Sequence, residues 1–278
     1  SQGFTIWGNW GPFAAANYNM GWHSKGGHDR TFGTNAKAWD WCSVNNAGFE
    51  YYQNAKKDGI GLPPHNPRIW VFRHQSNASC APMLRRVWHP IGYSSNSGWS
   101  NFFINITAGR LLTYTNTLLK FALPDIVIGT GGGYNTYDIY ESVNHELSHA
   151  SHFNKVGSAF WAKYVNYIIT YGKKYDHPYG DASCNNSGFC GVGEMWGYAM
   201  GYIRTYEKYQ QKPKNGQSKW FQPNLLYDLM TEKILTKKQI FDCLSSDVTS
   251  HALLKQKMIS RYPSKKDSII AKFSRYGF

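Results

Sequence analysis

Residues 145–152 read HELSHASH, three histidines and a glutamate in one short run. His145 and His149 stand four apart, so they act together only if the stretch is helical. On a helix, positions i and i+4 share a face and lie about 6 Å apart along the axis, and both imidazoles converge on one point. Glu146, one position on, points beside them. With ten histidines in 278 residues, chance placement gives H-E-x-x-H in fewer than about one such chain in a hundred. Asn135 and Thr136 precede the run in positions suited to cap a helix.

Two convergent imidazoles and a neighbouring carboxylate match the chemistry of a metal-activated water. The histidines hold the ion, and Glu146 faces the water instead of the ion and takes its proton. A third ligand has to come from elsewhere. His152 lies about 10 Å along the axis from His145, too far to join one ion unless the helix breaks. In the pattern H-E-x-x-H-x-x-G-x-x-H the glycine makes that break, but here His152 occupies the glycine position and Lys155 the last histidine position. His152 is therefore either a residue beside the site, supporting the ligands or facing the substrate, or an exposed helical histidine. Glu194 is the stronger candidate ligand. In GVGEMWGYAMGY, Gly197 and Gly201 fall on its own helical face, where glycine weakens a helix by about 1 kcal/mol relative to alanine and so needs a reason. Close approach to the motif helix, whose Ser148 is also small, is such a reason and would present Glu194 to the ion.

HELSH together with the later glutamate in GEMWG resembles the gluzincin type of zincin metallopeptidase. The resemblance covers residues 124–205. It implies one zinc ion per chain held by His145, His149 and Glu194, with Glu146 as the general base. It also implies that the run PDIVIG is an edge strand pairing with an extended polypeptide substrate through Asp125, Ile126, Val127, Ile128 and Gly129. The chain departs from familiar subfamilies: Glu194 has Gly191 three residues before it and Tyr198 four residues after it, where those subfamilies carry Asn or Asp. The developing oxyanion needs a donor besides the metal, and Tyr198, His177 and Tyr179 are the candidates.

The organisation agrees with an α+β protein of the zincin-like type. A single catalytic domain would span 1–278, with a small mixed sheet and an edge strand before the active-site helix, and a mainly helical C-terminal half. Residues 1–135 are rich in loops and strands. AKAWDWCSVNNAGFEYYQNAKKDG reads as a helix, and RIWVFRH, SNFFINIT and PDIVIG read as short strands bounded by turn formers. From residue 136 the helical period dominates, as in AFWAKYVNYIITYG. TKKQIFDCL and SKKDSIIAKF both open with capping-box patterns.

Thirty Lys plus Arg against seventeen Asp plus Glu give a net charge of +13, which favours acidic partners. The basic residues are scattered, so the excess is either a solvated basic surface or the sign of an acidic or glycan-bearing polypeptide substrate, with the Trp and Tyr excess as a platform for it or simply as core. No nucleic-acid motif occurs, and no run reaches the length of a membrane span. SQGFTIWGNW lacks the basic start and apolar run of a signal, so either a leader has been removed or none existed. In CNNSGFC, Cys184 and Cys190 flank a short polar loop suited to a disulfide, Cys42 and Cys80 are suited to a second, and Cys243 is left as a buried thiol. That framework points to a secreted, periplasmic or cell-surface protein; nothing in the sequence sets the oligomeric state. The rival reading is a glycan- or peptide-binding protein on a zincin scaffold with little turnover. The intact Glu146 argues against it, because binding alone has no need of the base.

Overall fold

The computed structural model describes residues 3–8, 16, 30–73, 79–87, 124–175, 179–211, 213 and 219–278. Their elements run β1 (Thr5–Trp7), α1 (Lys37–Asp58), β2 (Arg68–Phe72), α2 (Leu84–Val87), β3 (Ile126–Gly129), α3 (Thr136–Tyr175) and α4 (Ser187–Tyr209). They continue with α5 (Asn224–Thr231), α6 (Lys237–Cys243), α7 (His251–Arg261) and α8 (Lys266–Arg275). Among the described residues helices dominate around a small three-stranded sheet, which is consistent with an α+β organisation. The expected strand SNFFINIT lies outside the described residues.

The sheet has the order β1-β2-β3, with both pairs parallel, Ile6 opposite Ile69 and Ile69 opposite Ile126. Among the described strands it is therefore parallel and not mixed. β2 alternates, with Ile69 and Val71 buried, whereas all four residues of β3 are buried. That difference marks β3 as covered on both faces.

The expectation that β3 offers a free edge to a substrate is corrected here. Val127 donates to and accepts from Cys80 (2.8 and 3.0 Å), and Met83 N–H donates to the Asp125 carbonyl (3.0 Å). Gly129 N–H donates to the Ser79 hydroxyl (3.3 Å). The segment 79–83 thus takes the backbone groups that a substrate would use. The Asp125 carboxylate is likewise structural: it is fully buried, accepts from the Arg68 backbone N–H (3.0 Å) and from Arg85 (2.7 Å), and lies 3.4 Å from Arg86. Sequence pattern identifies a strand but not which distant segment will zip onto its edge.

α3 starts where the sequence indicates. The Asn135 side chain accepts from the Tyr137 and Asp138 N–H groups (2.8 and 3.1 Å), and the Asp138 carboxylate accepts from Asn135 N–H (3.1 Å). Its 40 residues are not one rod, because Gly157 interrupts them with φ 82° and ψ 174°. Beyond it the chain folds back. The rings of His149 and Trp161 lie 5.8 Å apart, centroid to centroid, whereas on a straight helix these residues would be about 18 Å apart along the axis. α4 packs along this bent helix through glycine. A Cβ on Gly197 would stand 2.6 Å from His149 Nε2, and one on Gly201 would stand 3.1 Å from the Glu141 carbonyl oxygen. The glycine-lined face of α4 thus lies against the motif helix.

Of the two expected capping boxes, Thr236 and Gln239 form theirs at the start of α6. The one at Ser264 does not form: residues Pro263–Lys265 make a 3₁₀ turn and α8 begins without a side-chain cap. The disulfides are also absent. Cys190 is a free, buried thiol in the first turn of α4, and Cys42, Cys80 and Cys243 are free as well. CNNSGFC is half loop and half helix, so its second cysteine is turned into the core, and the argument for an oxidising compartment loses its premise.

Candidate metal centre

The first arm of α3 supplies His145, Glu146 and His149, and α4 supplies Glu194; all four are buried. The two Nε2 atoms are 2.8 Å apart. Glu194 Oε2 sits 3.5 Å from His145 Nε2 and 3.6 Å from His149 Nε2. Neighbouring ligand atoms around a tetrahedral ion with bonds of 2.0–2.1 Å stand about 3.3 Å apart, and the three edges bracket that value. Two imidazole lone pairs at this separation repel unless a proton or a cation lies between them. The donor set, two imidazoles and one carboxylate, suits a divalent ion such as zinc.

Glu146 is also within reach: one donor atom from each of His145, Glu146 and His149 falls within 4.8 Å of the others. Its Oε1 is 3.9 Å from His145 Nε2. Two features favour Glu194 as the third donor. Its Oε2 is nearly equidistant from both imidazoles, and among the described residues this buried oxygen has no hydrogen-bond partner. Its other oxygen, Oε1, accepts a hydrogen bond from the Tyr164 hydroxyl. The carboxylate is thus divided, one oxygen anchored and one facing the histidines.

The electrostatics agree with this division. Burial opposes the charge on Glu194, but the two imidazoles outweigh it and hold the carboxyl well below the usual range. Burial pushes His145 down to about 4, leaving a neutral ring with a lone pair to donate. Glu146 moves the opposite way: burial, and then the Glu194 charge, raise it well above an ordinary glutamate. Two neighbouring carboxyls driven apart in this manner differ in protonation, so they can serve different purposes. Burial and the Glu194 charge also raise Tyr164, Tyr179 and Tyr198, so all three remain hydroxyl donors.

The Tyr198 ring stands edge-on to His145 at 4.3 Å, and its hydroxyl shares a 2.8 Å hydrogen bond with that of Tyr179. Tyr179 is pinned through its carbonyl, which accepts from Tyr167 (2.9 Å) and Trp220 (3.0 Å). Lys219 lies over both tyrosine rings, 4.9 Å from the centroid of Tyr179 and 4.7 Å from that of Tyr198. His177 lies outside the described residues. His152 is fully buried against Phe160 and Trp161 (5.4 and 5.7 Å), with neither ring nitrogen hydrogen-bonded among the described residues. It is neither an exposed helical histidine nor a residue that a substrate touches.

Sequence reasoning missed Tyr164 and Lys219. The chain holds twenty tyrosines, and Tyr164 is distinguished only by the fold-back at Gly157, which brings the second arm of α3 beside the first. Lys219 stands alone before an aromatic pair and carries no sequence signal. No family model, no curated protein and no solved structure matches the chain.

Proposed function

We propose that the chain is a zinc-dependent hydrolase of the gluzincin type, a metallopeptidase acting on polypeptide. The observation that carries the reading is the convergence of His145, His149 and the unpartnered Glu194 Oε2 on one point, with Glu146 beside them, its Oε1 3.9 Å from His145 Nε2. His145, His149 and Glu194 would hold one zinc ion. Zinc in such a site supplies Lewis acidity, polarising a scissile carbonyl and acidifying water.

The remaining steps belong to the chain's own side chains. Glu146 accepts the proton of the attacking water and returns it to the leaving amine, and its elevated pKa makes it a stronger base once ionised. Tyr198, held through Tyr179, would donate to the oxygen on which charge develops. Tyr164 fixes Glu194 so that one oxygen stays turned toward the imidazoles. Trp161, fully buried behind His149, closes the inner wall to water.

Metal analysis of the purified protein, after zinc reconstitution, combined with cleavage profiling on a mixed peptide library, tests the reading. About one zinc per chain and chelator-sensitive cleavage are expected. A chain that binds no zinc after reconstitution would overturn it.

A further inference from the structure

The Lys219 ammonium has three hydrogens to donate, and among the described residues its close contacts are aromatic faces: Tyr179 and Tyr198, with Phe221 at 6.0 Å. A cation held over rings is attracted to their faces, and among the described residues no hydrogen-bond acceptor takes its donors. It is only partly buried. Phe221, fully buried, lies under both tyrosines, 5.3 Å from the Tyr179 ring and 5.8 Å from the Tyr198 ring, so the shelf beneath the ammonium is rigid. Only two contacts separate Nζ from the metal centre: 4.7 Å to the Tyr198 ring, and 4.3 Å from that ring to His145. An extended peptide advances about 3.3–3.6 Å per residue, so a group bound at Lys219 belongs within one to three residues of the bond at the centre.

We infer that Lys219, seated over the Tyr179 and Tyr198 rings, forms a carboxylate-binding subsite that selects peptides carrying an acidic group next to the scissile bond. This rests on the peptidase reading and names its substrate class. A net charge of +13 works in the same direction by drawing acidic peptides to the protein. The carboxylate has two sources, an Asp or Glu side chain or the α-carboxylate of a chain end, and the recognition chemistry is common to both.

The test uses the full chain carrying Glu146→Gln, so that peptides survive, and measures binding by calorimetry with zinc present and after chelation. Three probes separate the sources. One is an N-acetylated, C-amidated peptide with a single central Glu. The second is the same peptide with Gln. The third is the Gln peptide with a free C-terminus. At least one carboxylate probe should bind ten-fold or more tightly than the neutral one, and the better of the two names the source. Lys219→Met, which keeps the aliphatic stem on the rings, should abolish the preference, and Lys219→Arg should keep it. Equal binding of all three probes, no binding of either carboxylate probe, or a preference that survives Lys219→Met would overturn the inference. Its failure is separable from failure of the peptidase reading. Zinc-dependent cleavage without acidic preference removes only the subsite, whereas a Lys219-dependent preference in a chain that holds no zinc removes only the peptidase.

Discussion

Glu194 presents two oxygens with different surroundings, and the difference sets what single substitutions should do. Oε1 is tied to Tyr164 and Oε2 is turned to the histidines. Tyr164→Phe removes the tie without emptying the space, so zinc affinity should fall by about 10–100-fold, the usual cost of losing a group that orients a ligand; competition against a chelating dye measures it. Glu194→Ala should lose zinc outright. Glu146→Gln should retain stoichiometric zinc while turnover falls by about 10²–10⁴-fold, because the amide cannot take the proton. Zinc lost from the Glu146 variant and kept by the Glu194 variant would exchange their roles. Most of this centre is legible in the sequence, since an i, i+4 histidine pair has one geometry on a helix and glycines at 197 and 201 imply a close neighbour. Tyr164 is not legible, because its partner lies on another helix and its position depends on a bend.

The bend belongs to the element scale. Gly157, at φ 82° and ψ 174°, sits in backbone territory that only glycine enters without strain of about 1–3 kcal/mol. A Cβ there would meet no neighbour within 4 Å, so the cost of Gly157→Ala is conformational and not steric. The second arm of α3 carries Trp161 and Tyr164 against His149. Gly157→Ala should therefore lower the thermal midpoint and weaken zinc binding together, whereas Gly133→Ala, also at positive φ (77°) and with open space around its Cβ, should lower the midpoint and leave zinc affinity unchanged. The pattern NKVGSAF shows a glycine in a helical run without showing which way the chain leaves it, and for that reason the periodicity after it reads simply as more helix. β3 fails to be read for a related reason. Its composition announces a strand, but the pairing of Val127 with Cys80 joins segments far apart in sequence.

At the scale of the whole molecule, a buried neutral histidine outside the candidate metal-ligand set couples folding to pH. His251, on α7, stacks on Phe278 at 4.0 Å and 12° and packs against Trp220 at 6.0 Å. Burial, partly offset by a hydrogen bond to the Phe221 backbone, lowers its pKa from 6.5 to about 4. A group depressed in this way binds its proton in the unfolded chain first. Its contribution to stability is complete above pH 6.5 and is lost as pH falls from there through about 4. At 1.36 kcal/mol per pKa unit the amount at stake is on the order of 3 kcal/mol. Carboxylates titrate over part of the same range, so the informative quantity is the difference between wild type and His251→Phe, both kept metal-free with chelator. Urea unfolding at intervals from pH 7 to 4 should show the wild type taking up about one more proton on unfolding than the variant within that window. The two pH slopes should converge above pH 7, where the histidine is neutral in both states. Equal slopes throughout would mean that His251 titrates as freely in the folded protein as in the unfolded one, and that the stack on Phe278 opens to water.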